Sequence, residues 1–146
     1  MMNRRAQELM ANGTHFMNPH GLHDDNHYTT AYDLYLIFNE CIKHEDFVNI
    51  IQSEAYTAYY TDVDGNSQEV LFTPTNLYAQ GEVDVPENVT IVGGKTGTTD
   101  EAGSCLVLYE QDQQGRPYIS IVMGASQKSI LYDNMTRLMS SGINGK

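Results

Sequence analysis

Apolar residues recur at helical spacing up to about residue 51, alternate between residues 54 and 123, and return to helical spacing at the end. Met2, Ala6, Leu9 and Met10 share one face of a helix over Met2 to Ala11, stopped by Asn12-Gly13. Thr14 to His27, broken by Asn18-Pro19 and Gly21, reads as a loop. Thr30-Ala31-Tyr32-Asp33 is a capping box with Asp in place of Glu. It opens a second helix whose apolar stripe is Ala31, Leu34, Tyr35, Phe38 and Ile42. A short third helix is expected over His44 to Ile51, with Phe47, Ile50 and Ile51 inward.

Tyr56, Ala58 and Tyr60 then alternate with Thr57, Tyr59 and Thr61, and Asp64-Gly65-Asn66 turns the chain into Glu69 to Phe72. This predicts a tyrosine-rich hairpin with a half-buried face. Residues 74 to 88 are loop, with Gly81 and Pro86 as breakers. Three strands are expected next: Ile91 to Thr99, Ser104 to Tyr109 and Tyr118 to Met123. The turns Asp100 to Gly103 and Gln113 to Arg116 make them an antiparallel meander. Leu131, Met135, Leu138 and Met139 place a final helix after Ser126, stopping at Gly142.

Composition narrows the chemistry. At 146 residues the chain has room for one domain, and its formal charge of −11 without a basic stripe argues against nucleic acid or anionic lipid as a partner. No apolar run reaches the length of a membrane span, and Met1-Met2-Asn3-Arg4-Arg5 leads into no apolar stretch, so neither an export signal nor an anchor is expected. Cys41 and Cys105 are expected to be two buried thiols. His20, His23 and His27, with Asp24 and Asp25, match no zinc spacing and read as polar surface, so neither metal nor cofactor is expected.

One stretch stands apart: Ile91-Val92-Gly93-Gly94-Lys95-Thr96-Gly97-Thr98-Thr99. Glycines 93, 94 and 97 leave the backbone open to a ligand lying along the strand. Lys95 is the only Lys or Arg between Lys43 and Arg116. A lone cation among small hydroxyl residues suits an anionic group such as a terminal carboxylate. K-T-G by itself is also the sequence of a Gly-rich turn beside a solvated lysine.

Four stretches together carry a resemblance. Met2-Asn3 with Ala6 and Leu9 resembles an M-N-x-x-A-x-x-L helix. Thr14 to Leu22 (Thr-His-Phe-Met-Asn-Pro-His-Gly-Leu) followed by His27 to Asp33 (His-Tyr-Thr-Thr-Ala-Tyr-Asp) is similar to T-x-F-x-N-P-H-G-L…H-Y-S-T-A-x-D. Gly94 to Gly103 matches G-x-K-T-G-x-T-x-x-A-G, with Gly93 or Gly94 as the leading glycine, and Ile121 to Ala125 resembles a last strand. These belong to the serine-type D-alanyl-D-alanine carboxypeptidases, the low-molecular-mass penicillin-binding proteins.

The resemblance implies an α/β (α+β) fold of the β-lactamase/transpeptidase-like kind, left incomplete, with residues 1–146 as the C-terminal part of one catalytic domain. It implies hydrolysis of D-Ala-D-Ala stem peptides of peptidoglycan outside the cytoplasmic membrane, with β-lactams bound by the full-length protein. Lys95 would pair with the terminal carboxylate and with the serine of S-x-N, and Thr96 would hydrogen-bond the same carboxylate. Gly97 would keep the strand edge open, and the Thr98 N–H would form half of an oxyanion hole. Penicillin-recognising sites also need S-x-x-K and S-x-N. Neither is present: residues three before Lys43, Lys95, Lys128 and Lys146 are Glu40, Val92, Ala125 and Ile143, and no asparagine has serine two positions earlier. Tyr132-Asp133-Asn134 mimics Y-x-N, but it follows K-T-G on a helix face explained by packing.

The expectation is therefore a fragment lacking nucleophile and base, inactive alone. A non-catalytic peptidoglycan- or partner-binding module and a β-lactamase relative are the alternatives. The strand Tyr118 to Met123 would lose its neighbour in such a fragment, which predicts self-association through that edge. Lys128 has only a surface reading.

Overall fold

The computed structural model describes residues 1–145. Three short helices come first: α1 (Met2–Glu8), α2 (Ala31–Cys41) and α3 (Glu45–Ile51). A hairpin of β1 (Tyr56–Thr61) and β2 (Ser67–Phe72) follows. Then come β3 (Val89–Thr99), β4 (Gly103–Asp112) and β5 (Pro117–Ala125), and α4 (Lys128–Asn144) closes the chain. The last three strands pair antiparallel in the order β3-β4-β5, as the turn spacing predicts.

The helix α1 is shorter than its apolar spacing suggests. Met10 takes a left-handed backbone at φ 63°. Its N–H reaches the Gln7 carbonyl at 3.0 Å while the Ala11 N–H reaches Ala6 at 2.9 Å. This is the paired closure of a Schellman motif, with methionine where glycine is usual and Ala6 and Ala11 both buried. At α2 the Asp33 N–H donates to Thr30 Oγ1 at 3.1 Å, as a cap should. The Asp33 carboxylate accepts instead from Thr14 Oγ1 at 2.7 Å, so it ties the long loop to the helix. Phe38 is buried and Leu34 and Ile42 are half-buried, but Ala31 and Tyr35 are exposed, so the buried stripe is narrower than predicted. On α3, Ile50 faces solvent at 73% exposure rather than inward.

The core lies between α4 and one face of the large sheet. Along β4 the even-numbered residues Ser104, Leu106, Leu108, Glu110 and Asp112 are all buried. Leu106 and Leu108 pack with Leu131, Tyr132, Met135 and Met139 of α4. Leu138, expected in this stripe, is exposed, and the helix continues past Gly142 because Ile143 is buried one turn after Met139. On the other face α3 sits so close to β3 that a Cβ on Gly93 would lie 2.3 Å from the Ile51 carbonyl oxygen. The half-buried hairpin face is not found. Every residue of β2 is exposed, because no third strand or helix covers the hairpin among the described residues. Cys41 and Cys105 are half-buried free thiols, not fully buried ones. Burial, followed by the nearby Glu40 carboxylate, raises the Cys41 thiol above its usual range.

Candidate functional site

A β-bulge decides which way the Lys-Thr-Gly stretch points. Val89 and Ile91 stand opposite Asp112 and Glu110, on the α4 face. The register then slips, and Gly93, Lys95 and Gly97 stand opposite Tyr109, Val107 and Cys105. One extra residue in an alternating strand transfers every later side chain to the other face. Without the slip Lys95 would point into the core beneath α4. With it, the ammonium is exposed, and the Lys95 Nζ donates to the carbonyl of Thr96.

Thr96 and Thr98 stand opposite Leu106 and Ser104, at the outer edge of β3, which has no further strand beside it among the described residues. Thr96 Oγ1 lies 2.5 Å from Thr75 Oγ1. A cleft of about 310 Å³ is lined by Thr75, Lys95, Thr96, Gly97, Thr98 and Lys128, with Cys105, Leu131 and Tyr132 at its wall. Lys95 also borders a second, more apolar cleft of about 710 Å³. Its walls include Ile50, Tyr56, Phe72, Pro74 and Gly94.

The four residues singled out from the sequence are thus together, but the glycines do different work. A Cβ on Gly94 would sit 2.3 Å from the Val107 carbonyl oxygen, so Gly93 and Gly94 are required by packing rather than by a ligand. A Cβ on Gly97 would meet nothing within 4 Å, so this position is open.

Sequence reasoning missed Thr75 and Lys128. Lys128 begins α4 and is exposed, as its surface reading has it, and it also lines the same cleft as Lys95. No spacing signals Thr75, because only the fold returns residues 74–80 to the β3 edge. Tyr132 is buried, and its hydroxyl accepts from the Leu77 N–H at 3.0 Å, so Tyr-Asp-Asn is explained by packing.

The other motifs hold the scaffold. The Asn3 side chain pairs with both backbone groups of Phe16, donating to its carbonyl at 2.9 Å and accepting from its N–H at 2.7 Å. Asn18 spans its own turn, accepting from the Gly21 N–H at 2.8 Å and donating to Leu22 O at 2.9 Å. The loop histidines take local partners: His27 Nδ1 accepts from the Met17 N–H, and His20 Nδ1 from the Leu22 N–H. His23 lies between Asp25 and Glu101 at 3.3 and 3.7 Å. Among the described residues no three His, Cys, Asp or Glu side chains gather as metal ligands.

The family model for D-alanyl-D-alanine carboxypeptidase matches residues 1–127. The chain belongs to the D-alanyl-D-alanine carboxypeptidase family. Curated relatives include the D-alanyl-D-alanine carboxypeptidases DacF of Bacillus subtilis and DacA of Haemophilus influenzae. DacF is 29% identical over 140 residues, covering 94% of this chain and 33% of the relative. DacA is 29% identical over 123 residues, covering 84% of this chain and 28% of the relative. Among solved structures, a Streptomyces DD-transpeptidase superposes with a TM-score of 0.84 at 26% identity, covering 97% of this chain and 52% of that one. A D-alanyl-D-alanine carboxypeptidase from Mycobacterium tuberculosis superposes at 0.76, also at 26% identity, covering 97% and 51%. The fold is that of the DD-peptidases and transpeptidases, and this chain spans about a third of the curated relatives and half of the structural ones. Among the described residues no helix is long and apolar enough to cross a membrane.

Proposed function

We propose that this chain carries the carboxylate-binding half of a D-alanyl-D-alanine carboxypeptidase site, acting on peptidoglycan stem peptides in the cell envelope. The observation that carries the reading is the slip in β3, which turns Lys95 out of the core beside the open edge of Thr96, Gly97 and Thr98. A peptide can lie antiparallel along that edge, where no further strand pairs with β3 among the described residues. Its terminal carboxylate would take the Lys95 ammonium and the Thr96 hydroxyl, both donors to a charged acceptor. Placing the scissile carbonyl against the Thr98 N–H would give the developing oxyanion one of its donors.

Acyl transfer also needs an activated serine. Ser53, on the larger cleft, donates its hydroxyl to Asn49 O at 2.7 Å and has no lysine three residues on. The nucleophile, its lysine base and the S-x-N serine would come from polypeptide outside this sequence, and β-lactams would be trapped only in their presence. The chain alone should therefore form no covalent adduct with a fluorescent penicillin. Mass spectrometry decides the matter, since stoichiometric acylation of any serine in this chain would overturn the division of labour. A peptide-binding role without catalysis is the second reading, favoured by a cleft with two lysines and several hydroxyls but no serine in its wall.

A further inference from the structure

We propose that Thr75 is a positioning residue that sets the direction of the Thr96 hydroxyl, making it a donor to an anionic ligand. The inference rests on the carboxylate reading of the Lys95 cleft. The two hydroxyl oxygens are 2.5 Å apart, and either could donate. A hydroxyl has one proton and two acceptor lone pairs, whereas a carboxylate only accepts. If Thr96 gives its proton to Thr75, it has nothing to offer a carboxylate. If Thr75 donates, the Thr96 proton is free to point into the cleft. A bound carboxylate therefore selects the order Thr75 to Thr96 to ligand, and each bond in such a chain polarises the next.

Thr75 is exposed, so its position must be fixed by its neighbours. Asn76 is buried and its Oδ1 accepts from the Tyr78 N–H at 3.1 Å. The Leu77 N–H donates to the Tyr132 hydroxyl at 3.0 Å, and the Tyr78 hydroxyl bonds Thr136 Oγ1 at 2.7 Å. The rings of Tyr78 and Tyr132 meet edge to face at 5.2 Å. Gln80 Nε2 closes the loop onto Pro74 O at 2.6 Å. The loop is thus fastened to α4 on one side and delivers Thr75 to the β3 edge on the other.

The test is a nuclear magnetic resonance titration of the full chain with an acetylated tripeptide ending in D-Ala-D-Ala and with its C-terminal amide. The wild type should prefer the acid. Thr75→Val leaves the Thr96 hydroxyl unoriented and without a polarising donor, so it should weaken the acid about fivefold and the amide, a weaker acceptor, by clearly less. Thr75→Ser, which keeps the hydroxyl, should restore the acid to within about twofold of wild type. Equal binding of the acid by wild type and Thr75→Val would overturn the inference and leave the carboxylate reading standing. So would an equal loss on acid and amide, which is the mark of a distorted loop. A wild type that does not prefer the acid would overturn the carboxylate reading itself, and this role with it.

Discussion

Glu110 should make the stability of this protein fall as pH rises through neutrality. Its side chain is 1% exposed on the face of β4 covered by α4. One carboxylate oxygen accepts from the Ser120 hydroxyl and the other, Oε2, has no hydrogen-bond partner. No cation is among the groups acting on it: burial raises the carboxyl to about 7, and only the Ser120 bond opposes that rise. A group whose pKa is raised in the folded state is held there in its protonated form. The stability it allows is fully present below its ordinary value of 4.5 and is lost as pH climbs through about 7. At about 1.4 kcal/mol per unit, an interval of roughly 2.5 units corresponds to a loss of about 3 kcal/mol by pH 8.5. That is a large share of the roughly 5–15 kcal/mol available to a domain. Glu110→Gln keeps the shape and the Ser120 contact but cannot ionise. Urea unfolding of both proteins between pH 4 and 8.5 isolates this group, since the other titrations cancel in the difference. The variant should match wild type near pH 4 and exceed it by about 3 kcal/mol at pH 8.5, with the change centred between about 5 and 7. A difference that stays constant across the range would mean that Glu110 is solvated or paired when ionised, and the reasoning would fail.

Three further outcomes follow from the site and the sheet. Gly93→Ala should cost about 1–3 kcal/mol in thermal unfolding, because the new Cβ meets the Ile51 carbonyl at 2.3 Å, whereas Gly97→Ala should cost under about 0.5 kcal/mol; equal losses would show that α3 does not rest on β3. Lys95→Ala should weaken a D-Ala-D-Ala peptide about tenfold and Lys128→Ala about threefold, the first as a charge-assisted contact and the second as a screened surface charge in the same cleft; a larger effect at Lys128 would reassign the carboxylate. We also propose that β5, beyond which no strand lies among the described residues, drives self-association, visible as a concentration-dependent sedimentation coefficient; a monomer at every concentration with protected amides over Ile119 to Met123 would refute this.

The order and type of the elements were legible because they follow from periodicity, which the core enforces locally. Thr30 as the cap of α2, the hairpin turn and the β3-β4-β5 meander all depend on residues close together in sequence. Burial was less legible, because it depends on what lies across from a face. Ile50, Tyr35 and the hairpin have the composition of covered surface, yet nothing in the described residues covers them. The cleft was half legible for the same reason. Lys95, Thr96, Gly97 and Thr98 are contiguous and can be read as a unit, while Thr75 and Lys128 reach the cleft only through tertiary contacts. The decisive feature was the least visible. Val89, Ile91, Gly93, Lys95 and Gly97 look like one alternating series, and on strict alternation Lys95 would share the buried face of Ile91. A lone ammonium beneath α4 would bear the desolvation penalty of a buried unpaired charge. The slip between Ile91 and Gly93 removes that conflict, and it needs a residue there without a side chain, because Ile51 occupies the space a Cβ would take. Gly93 therefore acts on Lys95 indirectly: it lets α3 seat against the bulge, and the bulge turns the lysine out of the core.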